Sequence, residues 1–440
     1  MKKLLTIFLT ILFITILSGC KSSLEDDIIF DLILGEEYSI DLNQTYTDPG
    51  FIVRYEQTDL SEYVTVSGNV NTTTQGTYII TYTLDYKGTT IIKTRTVNVG
   101  SFNLSCQDIN DSDLMICSRI WSGTYLNTVV KLNLYVEQDI TYNTEDIFTE
   151  VESYLAYYTI MSDKYKSYDG IMNVYEINQN AGTTVTLDER LYDLINFTFD
   201  SQENVVDFYN AALGPVLEIW HDYRDNCTDN GVCELPPMLS LEEANNLTDP
   251  SKVVFDDENL TITLEEGMSM DLGGVSKGYV SREIINYLNT LDLPAYLLNN
   301  GESNISIGGT HPIRDNGKFI IGITNPESPS EIYATSYLSD SEQLVTSGDY
   351  QKYFIVDGVK YHHIIDPSTL MPSEYSRSVS IITSDPALAD LYSTAIFNMS
   401  IEDGQAFVNS IDGMEAIWFG LDGTIYYSEN FEEDYLVDLY

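Results

Sequence analysis

The chain has 440 residues, 43% of them hydrophobic, and a formal net charge of −47 from 68 acidic and 21 basic side chains. This length allows two or three domains with sizeable cores, and the hydrophobic content excludes a disordered polymer. The acidic surface would repel nucleic acids and anionic lipid headgroups, so no nucleic-acid partner is expected. An anionic substrate would need a metal ion, helix N-termini or some of the few basic residues to offset this field.

The first twenty residues predict export and lipid attachment. Two lysines precede an apolar run, which is typical of a secretory signal, and Leu17-Ser18-Gly19-Cys20 follows. This ending resembles a bacterial lipobox, which implies cleavage after residue 19 and lipidation of Cys20. An uncleaved anchor helix or a chance cysteine is the alternative. We therefore expect a signal peptide over 1–19, a lipidated stalk over 20–28, and a lipid-anchored protein on the extracytoplasmic face of the bacterial cell membrane.

Residues 29–100 are predicted to form a small all-β sandwich. The segment GTYIITYTLDYKGTTIIKTRTVNV (76–99) alternates apolar and polar residues around a Tyr86-Lys87-Gly88 turn, which is typical of a hairpin. Together with YTDPGFIV (46–53) it resembles bacterial surface Ig-like modules, which implies a role as a spacer or binding stalk. The polar, turn-rich residues 101–117 are interpreted as a linker to the remaining chain, 118–440.

Four further cysteines follow the lipidation motif: Cys106, Cys117, Cys227 and Cys233. Outside the cytoplasm, the neighbouring pairs 106–117 and 227–233 could form disulfides that close short loops, and free buried thiols are the alternative. These cysteines lack the paired spacing of zinc ligands and have no nearby set of histidines, so a zinc site is not expected.

In the remaining chain, strand and helix patterns mix. TVVKLNLYV (128–136) alternates like a strand, whereas residues 144–163 carry apolar side chains at helical spacing, with Thr144 as the expected N-cap. Both patterns recur along the chain without an internal repeat of fixed period. An α+β domain is therefore predicted.

The stretch MDLGGVSKGY (270–279) joins an acid, adjacent glycines and a lysine to the start of an expected helix. Glycines let the backbone approach a ligand closely, and the free N–H groups of a first helical turn favour anions. Lys277 would add a point charge for a phosphate. A glycine turn that merely caps a helix explains the same residues, so this motif alone leaves both interpretations open.

A second motif, VTSGDYQKYFIVDGVKYHHIIDPSTLMP (345–372), predicts two strands joined at Asp357-Gly358, followed by His362-His363 and an Asp-Pro turn. A histidine can act as a general base near neutral pH. A hydrogen-bonded structural histidine is the alternative, which the residues taken alone favour.

A third motif, ITSDPALADLYSTAIFNMSIEDGQAFV (382–408), predicts a helix that begins near Pro386. Asp390 and Thr394 lie four residues apart and share one helical face among apolar neighbours. With backbone carbonyls and phosphate oxygens they would form an oxygen site suited to Mg²⁺, which would relieve the cost of burying the acid. The alternative is an exposed acid beside a hydroxyl that bonds back to its own helix.

The order of these motifs resembles that of the ApbE-type flavin transferases, which are FAD:protein FMN transferases and usually exported lipoproteins. The resemblance covers about residues 118–430 and rests on DLGGVSKGY, NNG (299–301), TSGDY (346–350), HHIIDP (362–367) and ALADLYSTA (387–395). FYNAALGPVLEIW (208–220) and YEINQNAG (175–182) look like two further family segments. The implied fold is an α+β catalytic domain of this family behind the Ig-like sandwich.

The resemblance also implies roles for individual residues. The implied FAD-binding residues are Asp271, Lys277, Phe208, Tyr209, Asn210 and Ile365. The implied metal ligands are the backbone carbonyl of Gly274 and the side chains of Asp390 and Thr394. His363 occupies the position of a proposed catalytic histidine.

The implied reaction moves the FMN half of FAD to a Thr or Ser hydroxyl of an extracytoplasmic acceptor redox protein, with Mg²⁺ or Mn²⁺, and releases AMP. The chain departs from the family pattern at Ser122, where a flavin-contacting methionine is usual, and at Glu302, where a second glycine is common. The segment DPSTLMP (366–372) lacks the glycine usually found after the threonine. The alternatives are hydrolysis of FAD to FMN and AMP, and a non-catalytic FAD-binding or adhesion lipoprotein.

Overall fold

The computed structural model describes residues 28–32, 37–41, 46, 48, 50–55, 58–74, 76–100, 105–109, 112–138 and 143–440. The predicted signal peptide and Cys20 lie outside these residues. The chain divides after Gly100 into two compact units, which we call the sandwich unit and the large unit. Within the described ranges, no helix is both long and apolar enough to span a membrane.

The sandwich unit consists of short strands in two sheets. Its strands are β1 (Ile28–Leu32), β2 (Glu37–Asp41), β3 (Phe51–Tyr55), β4 (Thr58–Asp59), β5 (Val64–Ser67), β6 (Gly76–Tyr86) and β7 (Thr89–Gly100). One sheet has the order β1-β3-β4 and the other β2-β7-β6-β5. Apolar side chains from both sheets, including Val53, Leu84 and Val97, form one core, and the buried Arg95 donates a hydrogen bond to Asp48. The predicted all-β sandwich and its β6–β7 hairpin are confirmed.

The large unit mixes strands and helices, which confirms the predicted α+β class. Its strands are β8 (Ser105–Asp108), β9 (Leu114–Tyr125), β10 (Thr128–Glu137), β11 (Thr184–Thr186), β12 (Val254–Asp256), β13 (Thr261–Thr263), β14 (Ala295–Asn300), β15 (Asn304–Gly309), β16 (Phe319–Asn325), β17 (Ser328–Leu338), β18 (Gln343–Gly348), β19 (Tyr353–Val356), β20 (Val359–His362), β21 (Ser376–Thr383), β22 (Glu415–Gly420), β23 (Ile425–Tyr427) and β24 (Leu436–Leu439). Its α-helices are α1 (Thr144–Met161), α2 (Val174–Gln179), α3 (Glu189–Ser201), α4 (Gly214–Asn230), α5 (Met238–Asn245), α6 (Ser276–Leu288), α7 (Pro386–Phe397), α8 (Ile401–Asn409) and α9 (Phe431–Asp434).

A long antiparallel sheet, β23-β22-β21-β18-β15-β14-β10-β9-β8, organises the large unit. Alternation along β15 separates its two faces: Asn304 bonds to Asp390 of α7, whereas Ile305 and Ile307 enter a core shared with β16 and β17. Helices α6 and α7, which contact each other, therefore cover one face of this sheet. The small sheet β16-β17-β24 covers the other face.

Two parts of the segment interpreted from the sequence as a linker, 101–117, belong instead to the long sheet: β8 (Ser105–Asp108) and the start of β9 at Leu114. Strand β8 is its edge strand and pairs with β9, so that Cys106 lies opposite Cys117. A disulfide joins these two residues, and a second one joins Cys227 to Cys233 at the end of α4. Residues 106–108 are exposed, and an edge strand with exposed polar side chains lacks the apolar alternation that would mark it in the sequence.

Smaller differences concern helix starts. Helix α1 begins at Thr144, so Asn143 and not Thr144 occupies its N-cap position. Helix α7 begins at Pro386, as predicted, and Asp385 caps it by accepting hydrogen bonds from the amides of Ala387 and Leu388. The first amides of α7 are thereby satisfied within the fold, as is the Ser276 amide of α6, which donates to the Leu272 carbonyl at 2.9 Å.

Candidate active site

The glycine turn that precedes α6 is held from two sides. Asp271 Oδ1 accepts a 2.7 Å hydrogen bond from the Gly273 amide, and Asp271 Oδ2 lies 2.7 Å from Lys164 Nζ. The side chain of Asn178, in the segment 175–182, bonds to both the N–H and the C=O of Met270 at 2.8 and 3.0 Å. These contacts hold the turn in one backbone conformation.

Gly278 brings α6 into close contact with α7. A Cβ atom at Gly278 would lie 2.1 Å from the Pro386 carbonyl oxygen and 2.5 Å from Asp390 Cβ, so only glycine permits this approach. The Gly278 amide donates at 2.8 Å to Asp390 Oδ2, although its regular helical acceptor would be the Gly274 carbonyl. This amide is therefore diverted from Gly274, and the predicted carbonyl ligand is left without its helical donor.

The structure brings the three predicted metal ligands together. A Cβ atom at Gly274 would lie 3.2 Å from Thr394 Oγ1 and 2.8 Å from the ring of Tyr209. Asp390, one helical turn before Thr394, is 6% exposed, and its Oδ1 accepts a 3.2 Å hydrogen bond from Asn304 Nδ2. The Thr394 hydroxyl also bonds back to the Asp390 carbonyl at 3.3 Å, which is the contact that the alternative interpretation of this motif predicts.

The atoms around Asp390 fit a small divalent cation. Within the described part of the chain, the buried Asn304 Oδ1 and the buried Tyr209 hydroxyl have no hydrogen-bond partner. Such an unsatisfied buried group costs about 1–3 kcal/mol, which a bound ion would offset. Carboxylate, carbonyl, hydroxyl and amide oxygens suit Mg²⁺ and Mn²⁺. No group of three His, Cys, Asp or Glu side chains able to hold a metal occurs among the described residues, so a cation here would depend on these mixed oxygen donors.

Basic side chains gather around Lys352, including Lys277 of the glycine motif, although the chain as a whole is strongly acidic. They are Lys164, Lys277 and Arg224. Asp271 and Asp225 are the counter-ions of Lys164 and Arg224, whereas no described acid lies within ion-pair distance of Lys277 or Lys352. Burial and the charges of Lys277 and Arg224 lower the pKa of Lys352. A polyanionic ligand such as a diphosphate would relieve this repulsion.

The adjacent histidines have different environments. His362 is buried and donates from Nε2 to the Ser373 carbonyl at 2.8 Å, so it fits the structural interpretation. His363 is partly buried and donates from Nδ1 to the Lys352 carbonyl at 3.2 Å, so its Nε2 carries the lone pair. Desolvation and the charge of Lys352 lower the pKa of His363 to about 3, which keeps the ring neutral near pH 7. His363 Nε2 is therefore unprotonated near pH 7 and can accept a proton, but a pKa this far below 7 makes the ring a weak base in the free protein.

The predicted flavin-binding residues have several structural roles. The carbonyls of Phe208 and Ile365 both accept from Asn398 Nδ2, at 2.9 and 3.3 Å, while the Ile365 side chain is buried in a core. Asn210 Nδ2 donates to a backbone carbonyl at 2.8 Å. Asn398, which sequence reasoning missed, links these two segments; its position four residues after Thr394 was the available signal.

Both departures from the glycine pattern adopt glycine-like backbone conformations. Glu302 has φ +61° and Leu370, which follows Thr369, has φ +60°, in the left-handed region that favours glycine. The Leu370 amide donates to the Asp366 carbonyl at 2.8 Å, and the Leu370 carbonyl accepts from Trp220 Nε1 at 2.9 Å. Both positions therefore have a backbone conformation that glycine adopts readily, although neither is glycine. Ser122 lies on β9, paired with Val129.

Comparison with known proteins assigns both units. A family model described as "Bacterial surface protein, Ig-like domain" matches residues 32–99, and one described as "ApbE family" matches residues 126–418. The chain thus has an Ig-like domain followed in sequence by a mixed α and β unit, and its relatives named FAD:protein FMN transferase make it a transferase. Because the second match spans most of the chain, the chain belongs to the ApbE family.

Individual relatives agree with this assignment. A FAD:protein FMN transferase of Klebsiella pneumoniae (strain 342) is 28% identical over 56% of this chain and 74% of its own length. One of Treponema pallidum (strain Nichols) is 29% identical over 55% and 69%. The crystal structure of the ApbE protein from Thermotoga maritima is 28% identical, with a TM-score of 0.61, over 72% of this chain and 98% of that chain. The flavinyl transferase ApbE of Pseudomonas stutzeri has the same TM-score at 20% identity, which shows the fold alone.

Proposed function

We propose that this chain transfers the FMN half of FAD to a Thr or Ser hydroxyl of an extracytoplasmic acceptor redox protein and releases AMP, with Mg²⁺ or Mn²⁺. The observation that carries the proposal is the contact between α6 and α7, which places the glycine turn, Asp390 and Thr394 at one point. The relatives named FAD:protein FMN transferase support the type of reaction.

The residues around the glycine turn would bind the diphosphate of FAD. The charges of Lys277 and Lys352 would offset the negative charge of the diphosphate. A divalent cation held by Gly274, Asp390 and Thr394 would neutralise further charge and favour the departure of AMP. Positioning and charge neutralisation of this kind dominate phosphoryl transfer.

His363 would act on the incoming hydroxyl. As the hydroxyl oxygen of the acceptor forms a bond to the phosphorus of the FMN half, Nε2 of His363 takes the hydroxyl proton. The bond from this phosphorus to the bridging oxygen breaks, and that oxygen leaves with AMP. The hydrogen bond from His363 Nδ1 to the Lys352 carbonyl fixes the tautomer that this role needs.

The reaction is tested by incubating the purified chain with FAD, Mg²⁺ and a candidate acceptor protein. Covalently flavinylated acceptor together with AMP supports transfer. AMP and free FMN without labelled acceptor would indicate FAD hydrolysis, and FAD binding without AMP would indicate a non-catalytic FAD-binding protein. Mass spectrometry of flavinylated peptides from cells with and without the chain would identify the acceptor.

The metal site is tested with Asp390→Asn. We expect transfer to fall by at least about a hundredfold, the scale of a lost electrostatic contact in an active site. The exposed Asp412 in the same unit provides the matched control, and Asp412→Asn should transfer at the wild-type rate. Full activity of Asp390→Asn would overturn the assignment.

The role of His363 is tested with His363→Gln. The transfer rate should fall about 100-fold or more if the ring is the base, and near-normal activity would remove that role.

We also propose that the chain acts outside the cytoplasm, anchored by a lipid on Cys20, with the Ig-like domain as a spacer. The two disulfides support an oxidising compartment. The test is mass spectrometry of the mature N-terminus and fractionation of a Cys20→Ser variant. We expect the Cys20→Ser variant to leave the membrane fraction. If the variant stays in that fraction and the wild-type N-terminal peptide carries no lipid, the proposal is contradicted.

A further inference from the structure

Lys164 lies between the acid of the glycine turn and a histidine of α4. Its Nζ is 2.7 Å from Asp271 Oδ2 and 3.0 Å from His221 Nδ1. The side chains of Lys164 and Asp271 are only 13% and 11% exposed. The Tyr165 hydroxyl lies 3.1 Å from the same His221 nitrogen. Since Lys164 has only donors, His221 Nδ1 must accept, which fixes a neutral ring with its proton on Nε2.

The pKa shifts of Asp271 and His221 agree with an ionised Lys164–Asp271 pair beside a neutral His221. Burial alone would raise the pKa of Asp271, but the charge and hydrogen bond of Lys164, together with the Gly273 amide, hold it well below its usual range. Desolvation and Lys164 lower the pKa of His221 to about 4, against the opposing effect of Asp271. The other charged groups that act on His221 are Arg224 and Asp225. At neutral pH the group is therefore an ionised Lys164–Asp271 pair that a neutral histidine supports.

We propose that Lys164 and His221 are positioning residues for the nucleotide site, because they hold the carboxylate that shapes the glycine turn. Asp271 Oδ1 accepts from the Gly273 amide only while the carboxylate keeps its orientation, and Lys164 holds the other oxygen. His221 in turn restrains Lys164 by accepting a hydrogen bond from its ammonium group, and Lys164 stays protonated. The inference rests on the proposed function, in which FAD binds at this turn. It adds a basis for FAD affinity that lies outside the motif itself.

Removing the lysine should weaken FAD binding more than it slows turnover. A buried ion pair that loses one partner leaves an uncompensated charge, so the Asp271 carboxylate should reorient or take up a proton. For Lys164→Met in the full chain we expect KM for FAD and the directly measured Kd to rise at least about tenfold, with kcat changed by less than about threefold. The matched control is Lys252→Met, which removes an exposed pair with Glu265, 41% and 49% exposed, and should change neither constant.

His221 provides a second and independent readout. In Lys164→Met the pKa of His221, followed by NMR, should rise from about 4 toward 6.5, because the neighbouring positive charge is gone. His221→Gln, which retains an acceptor for Lys164, should bind FAD more tightly than His221→Phe, which does not. These two variants decide the question if Lys164→Met fails to fold.

Wild-type FAD affinity in Lys164→Met, or equal affinities of His221→Gln and His221→Phe, would overturn the inference. Calorimetric titration with FAD needs no acceptor and no turnover. A wild-type chain that binds FAD but transfers nothing would refute the proposed function, while the affinity differences among these variants would still test the positioning role.

Discussion

Gly278→Ala tests the contact on which the whole site depends. The added methyl group would lie 2.1 Å from the Pro386 carbonyl oxygen, where ordinary contacts of a Cβ atom are 3.4–4 Å. Helix α6 would therefore have to move away from α7 by more than an ångström. That displacement would break the 2.8 Å hydrogen bond from the Gly278 amide to Asp390 Oδ2.

The expected cost follows from three contributions. Overpacking of this kind costs about 1–3 kcal/mol, and the loss of a hydrogen bond to a charged group costs about 1.5–3 kcal/mol. Replacing glycine by alanine inside a helix returns about 1 kcal/mol of intrinsic preference. The free energy of unfolding should therefore fall by about 1.5–5 kcal/mol, and the cation dependence of FAD binding should weaken because Asp390 is displaced.

Urea denaturation followed by far-UV circular dichroism would measure the change in stability, and calorimetric titration with FAD and Mg²⁺ would measure the change in binding. Asn286→Ala, an exposed substitution on the same helix, is the matched control and should stay within about 0.5 kcal/mol of wild type. A Gly278→Ala variant as stable as this control, with unaltered FAD binding, would show that α6 and α7 do not meet in this way.

Three further outcomes are expected. Asn398→Ala should lower the free energy of unfolding by about 2–4 kcal/mol in urea titrations, because it leaves two backbone carbonyls unpaired; a loss below 1 kcal/mol would contradict this. Burial and the charge of Lys164 lower the pKa of His221 from 6.5 to about 4 in the folded chain, so the unfolded chain binds more protons between these values and the folded state loses stability as pH falls. His221→Gln lacks this loss, so the free energy of unfolding of the variant, relative to wild type, should rise by about 2 kcal/mol when the pH is lowered from 7 to 4.5. The same difference at both pH values would contradict this prediction. Removing the Cys106–Cys117 disulfide, whose cysteines are 11 positions apart, by Cys117→Ser should lower the free energy of unfolding by about 2–4 kcal/mol. An unchanged melting temperature of this variant would refute the prediction.

The features that sequence predicted best depend on local chemistry. The 76–99 hairpin follows from alternation and a glycine turn, and the start of α7 follows from Asp385-Pro386, an N-cap followed by proline. Asp390 and Thr394 share a helical face by spacing alone. The proximity of Gly274 to Thr394 was expected only through the resemblance to the ApbE family, because 120 positions of chain separate them and no local pattern joins them.

The features that sequence missed depend on contacts between distant segments. Lys164 and His221 lie 57 residues apart, and neither belongs to a recognisable motif. Strand β8 was assigned to a linker because its exposed polar residues resemble a loop, although its pairing with β9 and the bond between Cys106 and Cys117 place it in the sheet. Asn398 links two segments by donating its side-chain amide to two backbone carbonyls, and a pattern of side chains in the sequence does not reveal such bonds.

The direct bond between the start of α6 and the Asp390 carboxylate has a thermodynamic consequence. A nucleotide bound at the turn and a cation bound beside Asp390 would each restrict the same two helices, so their binding free energies are not independent. If the proposed function holds, linkage requires that the factor by which Mg²⁺ changes the affinity for FAD equal the factor by which FAD changes the affinity for Mg²⁺. The occupancy of each site would then depend on the concentration of the other partner.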